Sequence, residues 1–232
     1  MKPIIDVSEY QGDIDWSEAS KHVAGAIIRL SSWRLSDGGN RLDHKAQVNA
    51  YEVLDAGLPI GAYVRANPWA NSPATELMLF RAWWEDVVLD KVGDDDTSNL
   101  ILTPAIDIEP TDKPEFDALV NWPEWIRSFI QLWNVATDSA PLMLYTSGSF
   151  FDSKYGGVLD IPLNVSFWVG DAAGFNHAPD AGGKTKWVFS GRTVLHQYSH
   201  KGTIPGIKGA VDLNAVMPYT QIYDLDYRGR RD

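Results

Sequence analysis

Acidic side chains stand where several apolar runs of this sequence end. Pro3-Ile4-Ile5-Asp6-Val7-Ser8 puts Asp6 at the close of the first run. Pro104-Ala105-Ile106-Asp107-Ile108-Glu109-Pro110 puts Asp107 and Glu109 at the close of another, and Ala210-Val211-Asp212-Leu213-Asn214 adds Asp212 late in the chain. Asp107 and Glu109 are two positions apart, so on a strand they project from one face with bases about 6.6 Å apart. Glycoside hydrolysis needs such a pair: one acid protonates the leaving oxygen while a second group stabilises the positive sugar. Crowded carboxyl groups do not all ionise easily, so one pKa rises and a proton is kept for donation. A lone Asp at a strand end is commonly only a turn or cap, and Asp-x-Glu is commonly a solvated alternation. Here Ile101-Leu102-Thr103-Pro104-Ala105-Ile106 precedes the pair and is apolar enough to be buried, which argues against solvation.

Other chemistries fit less well. His22, His44, His177, His196 and His200 show no metal-ligand spacing. Ser147-Gly148-Ser149 lacks the Gly-x-Ser-x-Gly elbow, and no phosphate-binding glycine loop follows a strand. There is no cysteine, which removes thiol chemistry, disulfides and thiolate-bound metals. No cofactor and no metal are expected, an oxygen-only Mg²⁺ or Ca²⁺ site being the alternative use of the acids. A net charge of −11 argues against nucleic acid, because the basic group Arg228, Arg230 and Arg231 is offset by Asp224, Asp226 and Asp232. No run approaches membrane-spanning length, so no membrane insertion is expected. Met1–Asp6 meets a carboxylate before any signal-like segment, which predicts synthesis in the cytoplasm without a signal peptide.

The elements that must carry these acids alternate. Pro3–Val7, Ala24–Leu30, Leu58–Val64, Ile101–Ile108, Pro141–Tyr145, Phe167–Val169 and Val194–Tyr198 read as buried strands. Asp43–Ala56 reads as a helix ended by Gly57, and Ser72-Pro73 starts another with Leu77, Phe80, Trp84, Val87 and Val88 on one face. Phe116–Trp133 continues through Leu119, Trp122, Ile126, Phe129, Ile130 and Trp133, with Pro123 as a kink or restart. Such alternation implies a parallel sheet, and in a barrel the C-terminal strand ends share one mouth where sequence-remote acids meet. After about Pro141 the strands crowd together, so a regular eightfold barrel is not expected. No linker or repeat is visible. The reading is one domain over 1–215, with 216–232 as a tail.

Read together, these segments resemble family-25 glycoside hydrolases, the Chalaropsis-type lysozymes of phages and bacteria. The resemblance rests on Ile5-Asp6-Val7-Ser8-Glu9-Tyr10-Gln11-Gly12, Asp13-Ile14-Asp15-Trp16, Ala56-Gly57-Leu58-Pro59-Ile60-Gly61-Ala62-Tyr63 and Pro104–Glu109. It continues through Pro141–Ser147, Phe167-Trp168-Val169-Gly170, Gln197-Tyr198-Ser199 and Ile204–Asn214. It implies a single-domain α/β fold, a modified TIM-like barrel of five β/α units plus three further strands. It implies hydrolysis of the β-1,4 bond between N-acetylmuramic acid and N-acetylglucosamine in bacterial peptidoglycan, by a monomer acting at the cell wall in host lysis or from a virion. Carried across by motif, Glu109 is the general acid/base and Asp107 its partner in a substrate-assisted retaining step. Asp6 and Asp212 complete the acidic floor, while Tyr63, Tyr145, Trp168, Gln197 and Tyr198 bind the sugars.

The chain departs from the family pattern at Val64-Arg65, where a His and an aromatic are common, at Ser31-Ser32-Trp33, and at Gly170-Asp171-Ala172, which lacks the usual tyrosine. These departures bear on subsite specificity more than on bond chemistry. Two rivals remain. A family-18-type glycosidase would need acids at Leu102 and Ala105, and neither is acidic. A non-catalytic glycan-binding or virion module on the same barrel would have less reason to keep all four acids.

Overall fold

The computed structural model describes residues 2–33, 39–92, 100–110, 114–155, 160–170 and 191–228. Its strands are β1 (Ile4–Val7), β2 (Gly25–Trp33), β3 (Asn40–Leu42), β4 (Ile60–Arg65), β5 (Ala105–Asp107), β6 (Leu142–Ser147), β7 (Val165–Gly170), β8 (Thr193–Gly202) and β9 (Val211–Val216). All but β3 join in the ring β1-β9-β8-β7-β6-β5-β4-β2, which closes through β1 on β2. The seven strands from β8 round to β1 by way of β5 run parallel, and β9 runs antiparallel to both β8 and β1. The short β3 hangs antiparallel on β2 outside the ring. Strands covered on both faces need apolar side chains throughout, and every residue of β1, β2 and β5 is buried.

Helices α1 (Trp16–Ala19), α2 (Ala46–Asp55), α3 (Pro73–Trp84), α4 (Asp90–Val92), α5 (Pro114–Asp117), α6 (Trp122–Thr137) and α7 (Gly148–Tyr155) follow the first strands in turn. Five β/α units are thus followed by β7, β8 and β9, as expected of a modified TIM-like barrel. Ser72 caps α3 by accepting from the Thr75 N–H at 3.2 Å, and Pro73 occupies its first turn. A π-helical turn at Glu85–Leu89 carries the buried face past Trp84, so that both Val87 and Val88 point inward. The stretch expected as one helix over Phe116–Trp133 is two. Pro123 restarts the chain in the first turn of α6, and Leu119 lies in the intervening turn, 80% exposed rather than on the apolar face. The face Trp122, Ile126, Phe129, Ile130 and Trp133 is buried as read, and Phe80 of α3 meets Phe129 and Trp133 with ring centroids 6.4 and 5.5 Å apart. Asp43, expected to open a helix, instead lies just before α2. Its buried carboxylate accepts from the Lys45 N–H, the Glu9 N–H and the Arg29 guanidinium.

Two apolar layers result. One fills the space between barrel and helices; the other fills the barrel itself with Ile4, Ile27, Leu102, Ala105, Met143 and Leu195. The segment read as a tail reaches into this second layer. A 3-10 turn at Ile222–Leu225 plugs the lower end: Leu225 is buried among the barrel side chains, and its carbonyl accepts from both the N–H and the hydroxyl of Thr103. The Tyr227 N–H donates to the Ile101 carbonyl, and its ring meets Trp84 edge-on. Truncating a fully enclosed leucine leaves a cavity the barrel cannot collapse around. Leu225→Ala is therefore expected to lower the unfolding free energy by about 3 kcal/mol, read by urea melts. An unchanged melt would mean the plug contributes nothing.

Candidate active site

Alternate residues of each barrel strand point inward, and at the C-terminal end of the parallel strands these positions are polar. They enclose a cavity of about 280 Å³ lined by Asp6, Asp107, Glu109 and Asp212, with Tyr63, Tyr145, Trp168, Gln197 and His200 completing the wall. The acids thus come together from β1, β5 and its exit, and β9. Asp212 gets there by a route different from the one expected. Its strand is antiparallel, so the mouth receives the start of β9 rather than the end, and Asp212 stands directly opposite Asp6 in the β1–β9 register.

The floor is one hydrogen-bonded chain. The Tyr145 hydroxyl donates to Gln197 Oε1 (2.8 Å), and Gln197 Nε2 donates to Asp6 Oδ2 (3.2 Å). From the other side the Trp168 indole N–H donates to Asn214 Oδ1 (2.7 Å), and Asn214 Nδ2 donates to Asp6 Oδ2 (2.8 Å). Trp168 meets Tyr145 and Tyr63 edge-on at 4.7 and 5.9 Å, so it forms the base of the cavity rather than an open platform. A side chain at Gly170 would place its Cβ 2.6 Å from the Tyr145 hydroxyl, so glycine is needed there for the ring to reach Gln197. The two residues after it, Asp171 and Ala172, lie outside the described residues. Tyr198 does not join the site. It is not among the residues lining the cavity and is buried near His196, at an irregularity in the β8–β9 ladder between Gln197 and Ser199. Asn214, Arg65 and His200 were not picked out as site residues from the sequence. Asn214 carried a usable signal, standing two positions after Asp212 and hence on the same face.

These carboxyls do not behave alike. Burial, then the charge of Asp212, pushes Asp6 well above the usual carboxylate range, against the donors Asn214 and Gln197. Asp107 is also pushed well up, first by burial and then by Glu109, with Arg65 opposing. Its Oδ1 is buried and has no hydrogen-bond partner. Glu109 is raised mainly by burial, while Arg65 and the Tyr145 hydroxyl pull it down. Asp212 is pushed up to about 6, again chiefly by burial. Among the described residues no His, Cys, Asp or Glu cluster is arranged to hold a metal, and no helix is long and apolar enough to cross a membrane.

An acidic mouth floored by aromatic rings, on a barrel of five β/α units and three strands, has a match. The sequence model of the glycosyl hydrolases family 25 covers residues 5–207. The chain belongs to this family. Lysozyme M1 of Streptomyces globisporus is 26% identical over 217 residues, 90% of this chain and 66% of that one, so the chain spans just under two thirds of that relative's length. Among solved structures, the Clostridium perfringens spore cortex lytic enzyme SleM superposes with a TM-score of 0.73 at 23% identity, covering 96% of this chain and 68% of SleM. The lysozyme of Streptomyces coelicolor superposes at 0.70 with 21% identity, covering 98% and 97%. At these identities the structures establish that the family-25 chain shares their fold.

The raised acids have a consequence for stability. A carboxyl whose pKa is higher folded than unfolded binds its proton more tightly in the native state. Its favourable contribution is complete below the unfolded value, near 4, and is lost as pH rises through the folded one. For Asp212 that window runs from about 4 to about 6. Asp212→Asn is therefore expected to match the parent in thermal stability near pH 4 and to exceed it above pH 6. A gap between the two melting curves that does not widen across this interval would contradict the assignment.

Proposed function

We propose that this chain hydrolyses the β-1,4 bond between N-acetylmuramic acid and N-acetylglucosamine in bacterial peptidoglycan, with Glu109 as general acid/base. The observation that carries the reading is Asp107 beside Glu109: a buried carboxyl with an unpartnered oxygen, set next to a more exposed acid. A buried acceptor without a donor is unfavourable until something supplies one. The N–H of a sugar acetamido group would do so, and would thereby turn the acetamido oxygen towards the anomeric carbon. In that arrangement Glu109 gives its proton to the departing glycosidic oxygen as the acetamido oxygen attacks. The resulting carboxylate then takes a proton from the water that opens the cyclic intermediate, which retains the anomeric configuration. The opposed pair Asp6 and Asp212, which cannot both ionise cheaply, carries negative charge where the sugar becomes positive, and its repulsion helps keep Glu109 protonated beforehand.

The names of the relatives, lysozyme and spore cortex lytic enzyme, support a wall glycan as substrate. The barrel would act on the wall during host lysis or from a virion, as a monomer, with residues 1–215 as catalytic barrel and 216–232 as a tail whose Ile222–Leu225 turn plugs its lower end. Glu109→Gln keeps size and hydrogen bonding but cannot donate a proton, and lost acid catalysis is worth roughly 10²–10⁴-fold. That loss is expected in a turbidity assay on purified walls, with the fold intact by circular dichroism. Borohydride-reduced digests should contain muramitol. Glucosaminitol alone would mean a different bond, and no new reducing ends with wall binding retained would favour a non-catalytic module.

A further inference from the structure

Arg65 sits at the mouth in a state unlike the other arginines around it. On β4 it lies two residues beyond Tyr63, on the same inward face, and in register with Asp107. Its guanidinium rests on the Trp33 ring, 5.1 Å from the centroid, and is 4.0 Å from the Glu109 carboxylate. The side chain is 33% exposed. Among the described residues it donates no hydrogen bond, and its Nε is buried without a partner. Arg29 by contrast is bound to Asp43, Arg41 to Glu9, and Arg192 to the carbonyls of Ile161 and Pro162. A guanidinium offers five N–H donors in a planar fork, and a charge at 4.0 Å from Glu109 uses none of them as a hydrogen bond.

The platform under Arg65 is rigid. The Trp33 indole donates to the Ala66 carbonyl at 2.9 Å and packs on Trp69 at 4.7 Å. The loop that carries Trp69 is pinned by the buried Glu76, which accepts from the Asn67 N–H and the Asn71 and Asn40 side chains. The guanidinium therefore lies on an anchored ring with its donors unused, an arrangement that favours binding of a planar anion.

We infer that Arg65 is a specificity-determining residue that binds a carboxylate of the substrate beside the scissile bond. The inference rests on the proposed glycan substrate. That glycan carries carboxylates from two sources: the lactyl ether of muramic acid where no peptide is attached, and the stem peptide where one is. Engaging such a carboxylate also draws the arginine's charge away from Glu109, which lets the acid hold its proton as substrate binds. The neighbours that share its field are Asp6, Asp107 and Asp212 among the acids, with Tyr63 on its own strand and Tyr145 and His200 on other strands of the mouth.

The test is a cycle between protein charge and glycan charge. Peptide-stripped and peptide-bearing glycan strands of equal length are each prepared with their carboxylates intact or converted to methyl amides. Binding is measured by calorimetry on Glu109→Gln, to stop turnover, with and without Arg65→Gln and Arg65→Lys. The native arginine is expected to favour charged over neutralised strands by about tenfold, a typical size for one charge-assisted hydrogen-bonded pair. Arg65→Gln should remove that preference and Arg65→Lys should keep part of it. A preference seen with stripped strands assigns the lactyl carboxylate; one seen only with peptide-bearing strands assigns the stem. Equal binding of charged and neutral strands, or a preference that survives Arg65→Gln, would overturn the inference and leave Arg65 a counter-ion for Glu109. If the parent protein shows the preference yet releases no reducing ends, the catalytic reading fails while the carboxylate site stands.

Discussion

Closure of the barrel through β9, which runs against both its neighbours, sets Asp212 opposite Asp6 and brings Asn214 between Trp168 and Asp6. A parallel strand in that place would have delivered its far end to the mouth, carrying Ala215 and Val216 instead. The cross-strand opposition forces two carboxyls together in a partly buried site, where they cannot both ionise cheaply. The same strand supplies the amide that keeps Asp6 oriented, because Asn214 lies on the same face as Asp212 and one pleat deeper. Tyr145, Gln197, Asp6, Asn214 and Trp168 then form one continuous line of donors and acceptors across four strands and β1. Side chains that share such a line lose rotational freedom together, so the floor of the cavity is preorganised.

Much of this was legible in the chain. Acids at the close of apolar runs identified the mouth, because a buried strand tolerates a charge only where it leaves the core. The family resemblance supplied roles for Glu109 and Asp107 that spacing alone leaves open. What was not legible depended on strand direction or on contacts between remote residues. Short apolar runs carry no mark of polarity, so β9 could not be told apart from a parallel strand. Tyr198 was grouped with Gln197 by motif, yet β8 is irregular between Gln197 and Ser199, and of the two only Gln197 lines the cavity. Leu119 fitted a helical period that Pro123 interrupts. The segment after Val216 reads as a tail, but Ile222 and Leu225 are enough to stopper a barrel whose lower end would otherwise be open.

The aromatic excess divides in a similar way. Trp84, Trp122 and Trp133 are core residues of the helical layer, and Trp168 is the floor of the site. Trp33 and Trp69 link the helical layer to the mouth: Trp69 meets Trp122 edge-on, and Trp33, packed on Trp69, lies under Arg65. That stack occupies the position where the chain departs from its family at Val64-Arg65 and Ser31-Ser32-Trp33. The two departures are therefore one structural feature: a tryptophan at the end of β2 that carries an arginine at the end of β4.

The molecule treats its buried acids in two ways, and the contrast locates the chemistry. Away from the cavity they are satisfied. Glu9 is held down to about 2 by the Arg41 hydrogen bond, with Arg29 adding to it. Asp43 pairs with Arg29, and Glu76, although burial pushes it upward, accepts from three nitrogens. At the mouth the acids also crowd one another: Asp107 keeps an unpartnered buried oxygen, and all four acids are pushed upward. A fold that can pair buried carboxylates elsewhere has no structural need to crowd four of them around one cavity with an oxygen of Asp107 left unpartnered. Local departures from good packing and pairing cluster where function requires them. The electrostatic cost is borne by the cooperative core around it, the aromatic layer under α3 and α6 and the plugged barrel interior. That cost keeps a proton on an acid at pH values where a solvated carboxyl would have lost it.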